Sequence, residues 1–435
     1  MALFPEPIPT AIESRPAQIT PRDAARYDVR FASRASSIVS SAMRDLMALA
    51  ERPEIISLAG GFPDTDSFPR EIFAEVMSVI ERGHVAGALQ YGPTEGLLEL
   101  RERVVEIMAH EGTQARVEDV MITSGGQQAI DLSIRTFVDP GDIVIAEGPT
   151  YPGAVPSLTT YEAQVVHVPM DDDGLRVDLL EETLDRLAAE GRRVKLLYTI
   201  PNFHNPAGVT MSLERRERLV RVAHERELLL VEDNPYGQIR FEGEPLPTLY
   251  QLDDGAGWVI YCSTFSKILA PGVRVGWVVA PPPVLRKMNL GKQGADLCTS
   301  TLTQRFILEY LRRHDWREHV ARLNDIYRSR RDAMLTALEE EFPPEATWTR
   351  PRGGLFVWAT LPSFIDTTDL IARAIEREVA FVPGEAAFRD GRGRHSMRLN
   401  FSYVSEAEIS EAVRRLGQVV NDMIETYRAL SPGSP

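Results

Sequence analysis

Seven short apolar runs punctuate the middle of this chain, and helix-length segments separate several of them. The runs are Val120 to Thr123, Ile143 to Ala146, Val165 to Val168, Lys195 to Thr199, Leu228 to Val231, Val259 to Cys262 and Val275 to Val279. The helical patterns between them include Gln127 to Phe137, Asp178 to Ala189 and Leu213 to Arg226. Strands that are apolar at successive positions are covered on both faces, and their alternation with helices marks a mainly parallel sheet. The expected fold is α/β. A large domain over roughly residues 81–315 carries a mainly parallel seven-stranded sheet flanked by helices. A smaller α+β domain combines 51–80 with 316–427, where a helical stretch from Asp315 to about Phe342 precedes strand–helix–strand–helix elements. Residues 1–50 read as a proline-rich arm followed by a short amphipathic helix from Ala35 to Ala50, and 428–435 as a disordered tail.

Composition narrows the function. A 435-residue chain that is 43% hydrophobic can bury a large core. Its formal net charge of −15 argues against a nucleic-acid partner, which calls for a clustered basic surface. Cys262 and Cys298 form neither a disulfide framework nor a metal-binding pattern, so no metal is expected and a reducing compartment is. His314 and His319, five apart, read as surface residues. The N-terminus lacks the basic and apolar regions of a signal peptide, and no apolar run approaches a membrane span. A soluble cytoplasmic protein without a membrane partner is expected.

In an open parallel sheet, ligands bind beyond the carboxyl ends of the strands, so the residues that follow each run carry the interest. Lys267 follows Val259 to Cys262 after a cluster of hydroxyls, with Arg274 seven residues on. It is one of four lysines among 48 basic residues. A primary amine attacks carbonyls when burial and a neighbouring cation depress its pKa; otherwise Lys267 is an ordinary surface lysine. Asp233 ends Leu228 to Val231 and could serve a cationic ring nitrogen or merely cap the strand. Asn205 lies in a strand-to-loop switch that could also be a plain turn. Gly125, Gly126 and Gln127 pass from a strand into a helix and offer backbone N–H groups to an anion. Tyr151 follows the next strand, where it stacks on a planar ring or packs in the core. An amine, an acid, an anion cradle with Arg274 and a stacking aromatic together describe a pyridoxal phosphate site. No GxGxxG, GxxxxGK[ST] or HExxH pattern supports dinucleotide, P-loop or zincin chemistry.

The motifs SLAGGFPDTDSFP, LQYGPTEGLLELR, SGGQQAIDL, EGPTY, PNFHNPAG, VEDNPYG, STFSK with RVGW, and MRLNFS occur in this order. Over residues 35–425 the chain resembles a fold-type-I pyridoxal-phosphate aminotransferase of the class I/II group. It is most similar there to the 2-aminoadipate and kynurenine aminotransferase branch, itself similar to the aminotransferase-like domain of MocR-type regulators. The resemblance implies a Schiff-base and proton-shuttling role for Lys267 and a ring-nitrogen partner in Asp233. Asn205 and Tyr236 would bond the cofactor's phenolic oxygen, and Tyr151 would stack on its ring. Its phosphate would be held by Gly126, Gln127, Thr264, Ser266 and Arg274. Tyr91 would reach the cofactor of a second subunit, implying a homodimer with shared sites. Arg398 would pair with the substrate α-carboxylate beside Gly60 and Gly61, with Asn205 alongside, and Arg44 would meet the distal group. Gly126 stands where relatives carry serine. His204 stands where glutamine is frequent, and either shapes the pocket or turns to solvent.

The implied reaction moves an amino group between an L-amino acid and a 2-oxo acid in ping-pong fashion, the amino acid being acidic, such as 2-aminoadipate or glutamate, or aromatic. Another pyridoxal phosphate reaction on the same fold, a lyase or decarboxylase, is the alternative. A regulator's effector domain would need a DNA-binding domain in front, where fewer than about 50 residues precede the core.

Overall fold

The computed structural model describes residues 27, 29–36 and 52–430. Most of the expected N-terminal helix, and Arg44 on it, lies outside the described residues. A four-residue helix, Ser33–Ser36, precedes the first described strand, the two-residue β1 (Ile56–Ser57). The central sheet follows, built from β2 (Val120–Thr123), β3 (Ile143–Gly148), β4 (Gln164–Asp171), β5 (Gly174–Leu175), β6 (Val194–Thr199), β7 (Leu229–Asp233), β8 (Val259–Thr264) and β9 (Gly276–Val279). Its order is β2-β9-β8-β7-β6-β3-β4-β5. The run β8-β7-β6-β3-β4 is parallel, while β9 is antiparallel to both its neighbours. The sheet is α/β and mainly parallel as expected, with eight strands where seven runs were visible. The eighth, β5, is an edge strand of two residues turned back on β4 at Met170 to Leu175, too short to show a period.

Every residue of β2, β7, β8 and β9 is buried, which is why these strands read as continuous apolar runs. The helix Leu213–Arg226 shows how the covering layer is specified. Glu214 sits in its first turn and His224 and Arg226 in its last, matching the helix dipole. Leu219, Val220, Val222 and Ala223 face the sheet, and the helix stops where Glu227 turns left-handed at φ 51°.

A four-stranded sheet, β10 (Thr347–Trp348), β11 (Phe356–Thr360), β13 (Val382–Pro383) and β14 (Ser396–Asn400), follows the long helix Trp316–Glu341. Its order is β10-β11-β14-β13, all antiparallel. Between them, β12 (Val379–Ala380) pairs in parallel with β1, so residues 56–62 run beside this later part of the chain. One apolar cluster joins Ile122, Tyr236 and Trp277 to Phe356, Val357 and Met397, so the two sheets share packing. The last helix runs Glu406–Leu430, beyond Tyr427, and packs along Trp316–Glu341. His319 is a correction: it is buried, at 2% exposure, edge-on to Phe68, because position on a long helix decided its burial and sequence spacing did not.

Candidate active site

The carboxyl ends of β2, β3, β6, β7 and β8 lie along one edge of the sheet, and the loops leaving them hold most of the residues singled out from sequence. The β2 loop turns through Gly125 at φ 80°, a conformation that disfavours any side chain, into the helix Gly126–Phe137. The first N–H groups of such a helix have no partner within it. A Cβ on Gly125 would stand 2.5 Å from Arg274 Nη2, so the guanidinium lies directly over the turn. Gly276 allows this closeness. It pairs with Thr123 on one side and Thr264 on the other, and a Cβ there would meet the backbone of Gly125, Gly126 and Ser263 at 2.7 Å. Thr264 and Ser266 complete the wall, their hydroxyls 2.9 Å apart and both buried. Backbone N–H groups, two hydroxyls and a guanidinium make an anion cradle.

Asp233, the last residue of β7, is buried, and Oδ2 accepts from the Tyr198 hydroxyl at 2.6 Å. Burial pushes its carboxyl up to about 7; Glu147 and Glu232 add to the rise, and the Tyr198 hydrogen bond opposes it. Among the described residues no cation pairs with this carboxylate. Lys267 is partly buried and donates to the Gly61 carbonyl at 2.7 Å. Burial, then the nearby charges of Arg398 and Arg274, lower its amine to about 8. Asn205 lies between two partners: Nδ2 faces the Tyr236 hydroxyl at 3.4 Å, and Oδ1 accepts from Arg398 Nη1 at 3.0 Å. Tyr151 belongs to the same group, since burial first, then Asp233, raises its phenol while Arg398 and Arg274 oppose the rise.

Arg398, in the middle of β14, is the unusual member. Its side chain is 4% exposed, its guanidinium lies 4.4 Å over the Phe356 ring, and Nη2 donates to the Ala59 carbonyl at 2.6 Å. Among the described residues Nε has no partner and no carboxylate pairs with the group. Burial lowers it to about 10. A buried cation held only by neutral acceptors is a receptor for an anion. Gly60 and Gly61 stand beside it, and a Cβ on Gly61 would touch Phe356 at 3.4 Å.

Of the residues singled out, Lys267, Asp233, Tyr236, Asn205, Tyr151, Thr264, Ser266, Arg274, Gly126, Gln127, Gly60, Gly61 and Arg398 come to this one edge. Tyr91 does not join them within one chain; it stands on the surface, 77% exposed. His204 does not turn to solvent: it is fully buried, with Nε2 3.0 Å from Glu147 Oε2. Tyr198 was missed in sequence, although a tyrosine inside an otherwise apolar buried strand needs a partner for its hydroxyl.

The parts fit one cofactor: a lysine with a depressed pKa, a buried carboxylate lacking a cation, an anion cradle and an aromatic ring. A model for the family "Aminotransferase class I and II" matches residues 53–416. The chain belongs to the class I and II aminotransferases. Its cofactor is pyridoxal phosphate. The aminotransferase is 45% identical over 397 residues to aromatic-amino-acid aminotransferase 1 of Thermococcus litoralis, a match covering 91% of this chain and 95% of that one. It is 41% identical over 396 residues to the 2-aminoadipate transaminase of Thermus thermophilus, covering 91% and 97%. Among solved structures, the kynurenine aminotransferase of Pyrococcus horikoshii superposes with a TM-score of 0.88 at 43% identity, covering 92% of this chain and 98% of that one. The similarity extends beyond the site to the whole fold of this aminotransferase. Among its described residues no group of histidine, cysteine and acidic side chains could hold a metal ion, and no helix is long and apolar enough to cross a membrane.

Proposed function

We propose that this aminotransferase takes an amino group from an aromatic or acidic L-amino acid and passes it to a 2-oxo acid, both half-reactions using one site. The observation that carries the reading is Arg398, a buried cation without a counter-ion among the described residues, in the same cluster as the depressed amine of Lys267. Pyridoxal phosphate, when bound, supplies an electron sink for the charge left on the substrate Cα. Lys267 Nζ would take the proton from the substrate Cα and release it two bonds away, on the far side of the amino nitrogen, which a neutral amine near pH 8 can do. Asp233 holds a proton on the ring nitrogen. Asn205 and Tyr236 bond the phenolic oxygen, and Tyr151 stacks on the ring. Gly126, Gln127, Thr264, Ser266 and Arg274 hold the phosphate. Arg398, with Asn205 beside it, binds the substrate α-carboxylate, with Gly60 and Gly61 leaving room. Arg44, outside the described residues, is assigned the distal group.

The two candidate substrate classes follow those named for the Thermococcus and Thermus relatives. The test is a stopped-flow panel of single amino acids, following conversion of the bound cofactor to its amine form. Aromatic or acidic donors should react fastest; a panel in which neither class reacts would overturn the reading. Arg398→Ala should lower kcat/KM for every donor by about 30-fold or more, the effect of stripping one partner from a buried charged pair. A loss confined to one donor would contradict a grip on the α-carboxylate.

The reading includes a homodimer with shared sites. Tyr91 and Leu89 are 77% and 74% exposed. Thr301 ties this stretch to the segment carrying Leu297 by donating to the Ala88 and Gln90 carbonyls, and Leu290 and Leu297 are also exposed. Such an apolar patch beside a proposed cofactor contact suits a second copy of the chain. A single-chain mass in sedimentation at micromolar concentration would remove this part. We place residues 81–315 in the cofactor domain, 51–80 with 316–427 in the smaller one, and the protein in the cytoplasm. Limited proteolysis and cell fractionation check these two assignments.

A further inference from the structure

The anion cradle described above leans on residues that the proposed chemistry does not use. Ser124 and Gln128 flank its turn. The Gln128 side chain reaches back, Oε1 accepting from the Ser124 N–H at 2.8 Å, and the Ser124 carbonyl accepts from Arg274 Nη2 at 3.4 Å. Both residues then meet one carboxylate oxygen. Asp296 Oδ2 accepts from Ser124 Oγ at 2.6 Å and from Gln128 Nε2 at 2.8 Å. Its other oxygen, Oδ1, accepts from Lys292 Nζ at 2.8 Å, and that lysine side chain is fully buried at the end of the helix Pro282–Gln293. Burial pushes the Asp296 carboxyl up, but the bonds from Lys292, Ser124 and Gln128 outweigh it and hold it below the usual carboxylate range.

We infer that Asp296 is a positioning residue for the cofactor's phosphate: held by Lys292, it clamps Ser124 and Gln128 and so fixes the turn between them and the guanidinium over it. The inference rests on the reading of that turn as the phosphate cradle. A buried ion pair contributes little more to stability than a well-packed apolar pair of the same size. What this pair supplies is geometry, because Lys292 occupies Oδ1 and leaves Oδ2 to the turn. A carboxylate repels a phosphate, so any benefit to the phosphate comes through placement and not through charge. The chain beyond Asp296 is braced as well. Leu297 is left-handed at φ 64°, and the Cys298 N–H donates to the Asp296 carbonyl at 2.7 Å, a sharp bend that a leucine rarely adopts. Strain of this kind persists where surrounding contacts over-determine it. Lys292, Ser124 and Gln128 hold one side of the bend. On the other, Gln304 Nε2 donates to the Thr299 carbonyl at 2.8 Å while its Oε1 accepts from the Leu97 N–H at 2.9 Å.

The test compares two probes, pyridoxal phosphate and pyridoxal, which lacks the phosphate. Each is titrated into holoenzyme stripped of its cofactor, and the preference for the phosphorylated probe is read as the ratio of the two affinities. Lys292→Met combined with Asp296→Ala removes the charge pair and the acceptor together. It should weaken pyridoxal phosphate by about 10-fold or more, the lower end of what loss of an outer partner costs a bound metal. Pyridoxal should bind as it does to the parent. Lys292→Met combined with Asp296→Asn keeps an acceptor oxygen for Ser124 and Gln128 and should restore most of the preference. An unchanged preference in the alanine pair, an equal loss of both probes, or an asparagine pair no better than the alanine one overturns the inference. Tighter pyridoxal phosphate in the alanine pair overturns it too, since the carboxylate would then act by its charge. If Arg274→Met leaves the parent's preference whole, the reading of the cradle fails and takes the inference with it, which is a different result from failure of the alanine pair alone. Should the alanine pair not fold, Gln128→Met decides with Lys292 and Asp296 in place: a selective loss of pyridoxal phosphate supports the inference, and the parent's preference overturns it.

Discussion

Lys267→Ala should lower turnover by about 10⁴-fold or more, the upper end of what a positioned acid–base group contributes, since the same amine is proposed also to link the cofactor covalently. The near-visible absorbance of the lysine-bound cofactor should vanish, while circular dichroism stays that of the parent. Among the described residues, the only hydrogen bond given up is the one to the Gly61 carbonyl. Retention of that band with turnover of amino acids would remove Lys267 from the centre of the site. The amine also sets a pH dependence. Its pKa is lowered from 10.5 to about 8 by burial and then by Arg398 and Arg274, so the neutral, reactive form accumulates as pH rises through 8. The cofactor-free protein should therefore take up pyridoxal phosphate with a rate that climbs between about pH 7 and 9 and then levels off. A rate still climbing near pH 10 would mean an unperturbed lysine.

Asp233→Asn should move activity and stability in opposite directions. Activity should fall by about 10²–10³-fold, the range for losing one preorganised electrostatic partner. Stability of the cofactor-free protein should rise at neutral and higher pH. The folded-state pKa lies above the ordinary 3.8, at about 7, chiefly through burial. The native state thus holds this proton more tightly than the unfolded chain, and stability is lost as pH climbs from near 4 to near 7. Asparagine has no charge to bury, so the variant should escape that loss, by an amount on the order of a few kcal/mol at pH 8 and almost nothing at pH 4. Urea unfolding of the cofactor-free parent and variant at both pH values measures it. A variant that is less stable than the parent at pH 8 would mean that the aspartate is already satisfied without a ligand.

The sheet was legible because strands buried on both faces leave continuous apolar runs, and its ligand edge was legible because polar residues begin abruptly where those runs stop. The site residues on Asp233, Asn205, Tyr151 and the Lys267 stretch were readable for the same reason. Arg398 was not: it sits in the middle of β14 with buried neighbours, and only the motif around it marked it. Two-residue strands such as β5, β12 and β13 carry no period at all. His204 looked free to face water because nothing local encodes burial of a loop side chain; Glu147, 57 positions earlier, decides it across the sheet. Tyr198 escaped for a related reason, since its partner Asp233 lies 35 positions on.

The short stretch from Ala59 to Gly61 accepts a hydrogen bond from Lys267, 206 positions later, and from Arg398, 339 positions later. Contacts of such sequence separation form slowly, because loop closure precedes any gain from them. A nascent chain can complete the central sheet once β9 has emerged, but it cannot close the substrate end until residue 398 leaves the ribosome. The two ends of the proposed site are therefore separated in the order of synthesis: the lysine is in hand more than a hundred residues before the arginine proposed to grip the substrate carboxylate.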